Sequence, residues 1–206
     1  MKIKFLSAVA LTATLLTSCG DAATTEVGTA VNDSTSAVYS VDVVTSKVNW
    51  KGEVAGVYGH NGYVNFTSGS LQVSDSGLVG GEFVVDLKNI VPLDSASYTA
   101  EKGHGIADLQ GHLSTKDFFQ TDSFPTATFV ITKVEGKTVK GNLTVKGKTN
   151  EETLNVESFE NKDGVVTAAG KLVFNRQKYG VAWVHFMKDM ILSDDIQLTI
   201  ALTAKK

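Results

Sequence analysis

Ile196-Gln197-Leu198-Thr199-Ile200-Ala201-Leu202-Thr203 carries a branched apolar residue at every second position. A segment with that period has one dry face and one wet face, which is how a strand of an antiparallel sheet covers a core. The same alternation runs through Val79, Gly81, Phe83, Val85 and Leu87, and through Val139, Gly141, Leu143 and Val145. Weaker versions occur at Val48 and Trp50, at Phe129 and Ile131, and at Leu154 and Val156. Turn residues separate the runs at Ser74-Asp75-Ser76-Gly77, Glu135-Gly136-Lys137 and Asn161-Lys162-Asp163-Gly164. Each supplies a residue that tolerates positive φ where a hairpin needs it. The count comes to about eight strands, an all-β chain that closes as a sandwich or a small barrel.

Between Val91 and Phe124 the alternation stops. Ile106, Leu109 and Leu113 lie three and four apart, which predicts a short amphipathic helix near residues 106–117 with Asp108 as its candidate cap. Asp117-Phe118-Phe119 then brings two large aromatics back toward the core. No internal repeat and no second domain is legible.

The 206 residues hold 19 Lys and Arg against 22 Asp and Glu, a net charge of −3, and one Cys. That balance gives no electrostatic footprint for nucleic acid, and no nucleic-acid partner is expected. A single Cys rules out an internal disulfide and a tetrathiolate zinc site. The start of the chain accounts for it. Lys2 and Lys4 precede an uncharged, mostly apolar run from Phe5 to Leu16, too short for a membrane span of about 20 residues but suited to a signal peptide. Leu16-Thr17-Ser18-Cys19 follows and resembles the bacterial lipobox, in which cleavage precedes a Cys that carries diacylglycerol and a palmitate-type acyl chain.

The expected division is a lipoprotein signal peptide over 1–18, a small, polar, flexible tether over 19–38 behind the lipidated Cys19, and a folded domain over 39–206. Losing Lys2 and Lys4 takes the net charge from −3 to −5. Two or more acyl chains anchor stably where one binds only marginally, so the chain is expected on a membrane of the bacterial envelope. Gly20 rather than Asp follows Cys19, which favours the outer membrane, facing the periplasm or the surface.

Catalytic signatures are missing from the sequence. There is no nucleophile elbow, phosphate loop or dinucleotide fingerprint, and the only thiol lies at the N-terminus. His60, His104, His112 and His185 are scattered without metal-ligand spacing, so neither a metal nor a cofactor is expected and the chain is read as a non-enzyme. A hydrolase using His60, His104 and His112 is the weakest of three readings. The others are a binding barrel with an apolar interior and a structural module whose interior is filled. Eight strands close around a space that side chains just fill or that holds one small ligand. Glycines in or beside strands, among them Gly52, Gly62, Gly80, Gly81 and Gly141, leave both options open.

An ordered set of short signatures resembles the YceI family, bacterial periplasmic or lipid-anchored proteins with a lipocalin-like barrel. They are Tyr39-Ser40-Val41-Asp42, Ser46-Lys47-Val48-Asn49-Trp50-Lys51-Gly52, Gly59-His60-Asn61-Gly62, His112-Leu113-Ser114-Thr115-Lys116-Asp117-Phe118-Phe119, Phe124-Pro125-Thr126-Ala127-Thr128-Phe129, Gly141-Asn142-Leu143-Thr144-Val145-Lys146-Gly147-Lys148-Thr149 and Phe174-Asn175-Arg176-Gln177-Lys178-Tyr179-Gly180-Val181. The likeness covers about residues 39–204. Leu109-Gln110-Gly111 stands where many members have Arg-Asp, and Asp42-Val43 where Asp-Pro is common. The resemblance implies an antiparallel barrel around an apolar tunnel that takes a polyisoprenoid, an isoprenoid quinone or another long-chain amphiphilic lipid, for transport or storage. Lining candidates by alternation are Val48, Trp50, Phe83, Val85, Leu87, Phe129, Ile131, Leu143, Val145, Leu198 and Ile200. Mouth candidates by motif position are His60, His112, Asp117, Arg176 and Tyr179. An ion pair that ties Arg176 to the 106–119 segment is an equal alternative to a head-group role. The oligomeric state is open, a homodimer included.

Overall fold

The computed structural model describes residues 36–54, 58–94, 98–99, 105–184 and 191–206. Cys19, the signal segment, most of the tether, His104 and His185 lie outside them. Among these described residues ten strands form, β1 (Ala37–Val41), β2 (Lys47–Val54), β3 (Tyr58–Ser74), β4 (Gly77–Asp86), β5 (Val91–Pro92), β6 (Thr126–Glu135), β7 (Thr138–Val145), β8 (Lys148–Lys162), β9 (Val165–Asn175) and β10 (Asp195–Lys205). The helix α1 (Ile106–Ser114) stands between β5 and β6, and a short 3-10 turn, Arg176–Tyr179, follows β9.

Eight strands close the barrel in the order β2-β3-β4-β6-β7-β8-β9-β10, and β10 pairs back onto β2. Every pairing is antiparallel. The expected strand number is therefore that of the ring. The two extra strands are short. β1 pairs the far half of β3 while β2 pairs its near half, so the two share one place in the ring, broken at residues 42–46. β5 adds to the start of β3 through Gly62↔Pro92.

The inward faces follow the alternation except where a bulge resets it. On β4 the register skips Val79, since Gln72 pairs Gly80 and Val73 pairs Leu78. Leu78, not Val79, therefore turns inward before Phe83, Val85 and Leu87. An extra residue in one strand reverses which side chains face in, and the bare alternation cannot reveal it. β7 carries no such break, and Val139, Leu143 and Val145 are all buried.

The helix ends three residues before the expected 117. Gly105 is its N-cap, and Asp108 stands one turn in, where its Oδ2 accepts the Gly105 N–H at 3.0 Å. At the other end the Thr115 N–H and hydroxyl both turn back to the His112 carbonyl, at 3.1 and 2.8 Å.

The hairpin turns β3–β4, β6–β7 and β8–β9 lie at one end of the barrel. There Tyr39, Val41, Val73, Val166 and Ala204 pack into a floor, Val166 and Ala204 with no exposure at all. The connections after β2, after β4 and β5, and after β9 lie at the opposite end with α1 and the 3-10 turn.

Candidate functional site

Inside the ring is a cavity of about 330 Å³, at the small end of the ~300–1,000 Å³ range for ligand pockets. It runs from Leu71, Leu78, Phe159 and Leu202 above the floor to Trp183, Leu192 and Arg176 at the far end. All eleven lining candidates, Val48, Trp50, Phe83, Val85, Leu87, Phe129, Ile131, Leu143, Val145, Leu198 and Ile200, border it. They come from β2, β4, β6, β7 and β10 and the residue after β4. The other strands add Val64 and Phe66 of β3, Leu154 of β8, and Leu172 and Phe174 of β9.

Two glycines help keep this space open. A Cβ on Gly141 would collide with Phe129 Cζ and come within 2.7 Å of the Val130 carbonyl. A Cβ on Gly62 would meet the Val91 carbonyl and, at 2.8 Å, the Trp50 ring. Each bare position lets an aromatic ring of a neighbouring strand lie along the wall instead of standing into the lumen. Trp50 keeps its indole N–H buried without a partner.

The mouth is built by segments clipped together. Arg176 is 3% exposed, donates four hydrogen bonds to backbone carbonyls and pairs with Asp194. Its Nε donates to the Ser193 carbonyl at 2.9 Å. One terminal nitrogen donates to the carbonyls of Val181 at 2.6 Å and Trp183 at 3.1 Å. The other reaches the Leu192 carbonyl at 3.3 Å and Asp194 Oδ1 at 3.1 Å. Both legs of the connection after the 3-10 turn thus hang on one guanidinium. Burial lowers its pKa, and Asp194 opposes that shift. With four donors on carbonyls and a carboxylate beside it, Arg176 borders the cavity as a brace, and its partners are Val181, Trp183, Leu192, Ser193 and Asp194 and not the 106–119 segment of the alternative reading. Lys146 plays a parallel part, donating to the carbonyls of Lys116 at 2.6 Å and Gly180 at 2.9 Å.

Aromatic rings cover this end. His112 of α1 meets Phe118 edge-on at 4.8 Å and Trp183 at 5.0 Å, and Phe118 lies 5.5 Å from Trp183. Leu109 and Leu113 of the same helix border the cavity beside them.

At the start of β3 His60 Nδ1 pairs with Asp94 Oδ2 at 2.7 Å, and Tyr98 donates to Asp94 Oδ1 at 2.9 Å while stacking on the His60 ring at 5.5 Å. The Asn61 N–H also reaches Asp94. Burial pushes the Asp94 carboxyl up, but the hydrogen bonds from His60, Tyr98 and the backbone outweigh it and hold its pKa below the usual value. Burial and the adjacent carboxylate raise the Tyr98 pKa.

His60, His112 and Arg176 therefore border the cavity, whereas Asp117 and Tyr179 do not. Asp117 is exposed on the outer surface. Tyr179 is fully buried behind the 3-10 turn, where its hydroxyl donates to Glu152 at 2.9 Å and its ring meets Phe174 edge-on at 5.3 Å. Burial and Glu152 together raise its pKa. Asp94, Tyr98 and Trp183 were not among the candidates. Asp94 and His60 are 34 positions apart, and only the docking of β5 along β3 joins them. Among the described residues no group of three or more His, Cys, Asp or Glu side chains could hold a metal ion.

Comparison with known proteins gives the same architecture. A solved structure of Burkholderia cenocepacia BcnA superposes with a TM-score of 0.63 at 21% identity, covering 80% of this chain and 99% of that one. A polyisoprenoid-binding domain from Saccharophagus degradans superposes with a TM-score of 0.54 at 16% identity, over 81% of this chain and 97% of that one. In sequence, a UPF0312 protein of Staphylococcus aureus strain USA300 is 44% identical over 80 residues, 34% of this chain and 44% of the relative. A Staphylococcus epidermidis counterpart is 38% identical over 80 residues, 36% of this chain and 47% of that one. The aligned part thus spans less than half the length of these curated relatives. The YceI-like domain itself matches residues 39–204, the whole barrel from β1 to β10, and the chain belongs to that family.

Proposed function

We propose that this protein holds one long apolar or amphiphilic molecule, of polyisoprenoid or isoprenoid-quinone type, in the barrel interior for transport or storage. The observation that carries the reading is the cavity, bordered along its length by aliphatic and aromatic side chains from all eight ring strands. Such a lining offers little directional bonding, but it removes apolar surface from water, which is worth about 0.8 kcal/mol per methylene before the cost of ordering the chain. The polyisoprenoid-binding domain of Saccharophagus degradans with the same fold supports the choice of ligand class. The lipobox-like Leu16-Thr17-Ser18-Cys19 supports a lipid-anchored protein of the bacterial envelope. The role is binding, without a chemical step.

A series of prenyl alcohols of increasing length tests it. Affinity measured by competition with an apolar fluorophore should rise with each added unit and level off once the cavity is full. An affinity independent of chain length would remove the basis for the proposal.

A further inference from the structure

We infer that His60, oriented by Asp94 and Tyr98, is the polar contact that selects the head group of the bound molecule, and that it takes a neutral hydroxyl. This rests on the apolar-ligand reading above and adds which end chemistry the cavity accepts. His60 borders the cavity and lies in the same inward row of β3 as Val64 and Phe66. Its register partner on β2 is Gly52, which also borders the cavity. A Cβ on Gly52 would meet only Ile196 Cδ1, at 3.4 Å, so the wall beside the imidazole is left bare.

The ring is fixed from three directions. Nδ1 pairs with Asp94 Oδ2 at 2.7 Å, Tyr98 stacks on the ring with 12° between the planes, and Tyr58 meets it edge-on at 5.5 Å. Asp94 is fixed in turn, because its Oδ1 accepts from the Tyr98 hydroxyl at 2.9 Å and from the Asn61 N–H at 3.3 Å. Its side chain is 9% exposed and its pKa is lowered, so at neutral pH it is a carboxylate that can only accept. The proton between the two groups therefore sits on His60 Nδ1, and in the neutral ring Nε2 keeps its lone pair. Among the described residues no group bonds to Nε2. A linked polar set beside an apolar cavity carries a desolvation cost that a purely structural wall would avoid.

What Nε2 can take follows from this arrangement. A lone pair accepts the proton of a hydroxyl, whereas a carbonyl offers none. An anionic head group would meet the Asp94 carboxylate behind the ring and no free cation. Among the described residues Arg176 is the only Lys or Arg that borders the cavity, and its fork lies on four carbonyls and Asp194. Burying a phosphate without a paired cation is strongly unfavourable. The subsite thus favours a long-chain alcohol or phenol over the matching hydrocarbon and disfavours the matching diphosphate.

The test uses the full-length protein and three probes of one chain length, a prenyl alcohol, its hydrocarbon and its diphosphate, in competition with an apolar fluorophore. His60→Phe keeps a ring against Tyr98 and removes Nε2. It should lower the ratio of alcohol to hydrocarbon affinity roughly three- to tenfold, the worth of one hydrogen bond. The diphosphate should bind more weakly than the alcohol. Nitrogen NMR of the histidine side chains, with His60→Phe assigning the signals, should show Nδ1 protonated and Nε2 bare in mildly alkaline buffer. The alcohol should shift the Nε2 signal and the hydrocarbon should not. In Asp94→Asn the proton should spread over both nitrogens and the affinity ratio should fall. An affinity ratio unchanged in His60→Phe, an Nε2 signal that the alcohol moves no more than the hydrocarbon does, a tautomer unchanged in Asp94→Asn, or a diphosphate that binds more tightly than the alcohol overturns the inference and leaves the apolar-ligand reading standing. Failure of all three probes to displace the fluorophore overturns that reading and the subsite with it.

Discussion

Replacing Arg176 with Met keeps the aliphatic stem and removes the charged fork, so it isolates what the fork does. Three of its bonds are short and directed at carbonyls, to Val181 at 2.6 Å, Ser193 at 2.9 Å and Trp183 at 3.1 Å. The bond to Leu192 is longer, at 3.3 Å, and Asp194 is half exposed, so these two are discounted. Hydrogen bonds to a charged group contribute about 1.5–3 kcal/mol each, offset by the cost of burying the guanidinium. Breaking a buried charged network typically costs about 3–5 kcal/mol, and the lower half of that range is expected because the freed carbonyls can regain water. For a domain of this size that is a fall in Tm of roughly 10 °C. The loss should also be local. Hydrogen exchange should quicken at the amides of Val181 and Ser193, which bond to the carbonyls of Arg176 and Glu53, while β7 keeps its protection. Arg176→Lys should recover only part of the loss, because an ammonium has three donors and cannot reproduce the planar fork. A Tm unchanged by Arg176→Met, or exchange that quickens evenly over the barrel, would refute the idea that one guanidinium braces the mouth.

Tyr179→Phe should cost about 1–2 kcal/mol in urea unfolding by leaving buried Glu152 without its hydroxyl donor. Ligand affinity should be unchanged, since Tyr179 does not border the cavity. Gly141→Ala forces a Cβ against Phe129 and the Val130 carbonyl, so it should destabilise by about 1–3 kcal/mol and weaken binding as the ring is displaced into the lumen. Crystallography of the variant would locate the ring. The lowered pKa of Asp94 stabilises the fold fully above the ordinary carboxylate value of about 4. That contribution fades as pH falls through the lower folded value. The stability gap between wild type and Asp94→Asn should therefore narrow on acidification, and a gap constant with pH would argue against a carboxylate held by His60 and Tyr98.

Strands with one dry face were legible because their partners hardly matter to the pattern. Ile196 to Leu202 and Val139 to Val145 alternate without interruption, and their inward residues border the cavity in the same phase. β4 was legible only from Phe83 onward, since the bulge at Val79 depends on how β3 pairs with it. Polar residues were harder to place. The partners of Arg176 are mostly backbone carbonyls, which leave no mark in a sequence, so its bracing role could be weighed but not read. The link between His60 and Asp94 needs β5 to run beside β3, and two residues of strand carry no readable period. Tyr179 shares a motif with Arg176, but the 3-10 turn directs its hydroxyl to Glu152.

Native mass spectrometry of protein purified from its own host distinguishes an apolar interior that binds a ligand from one that is only a core. Ala168 borders the cavity beside its register partner Leu202, and Ala168→Phe sets a ring into that space. The wild-type chain should carry a mass excess that organic extraction releases as one long-chain amphiphile per barrel, and a folded Ala168→Phe chain should carry much less. A wild-type chain with no bound species, or an equal load on both chains, would contradict it.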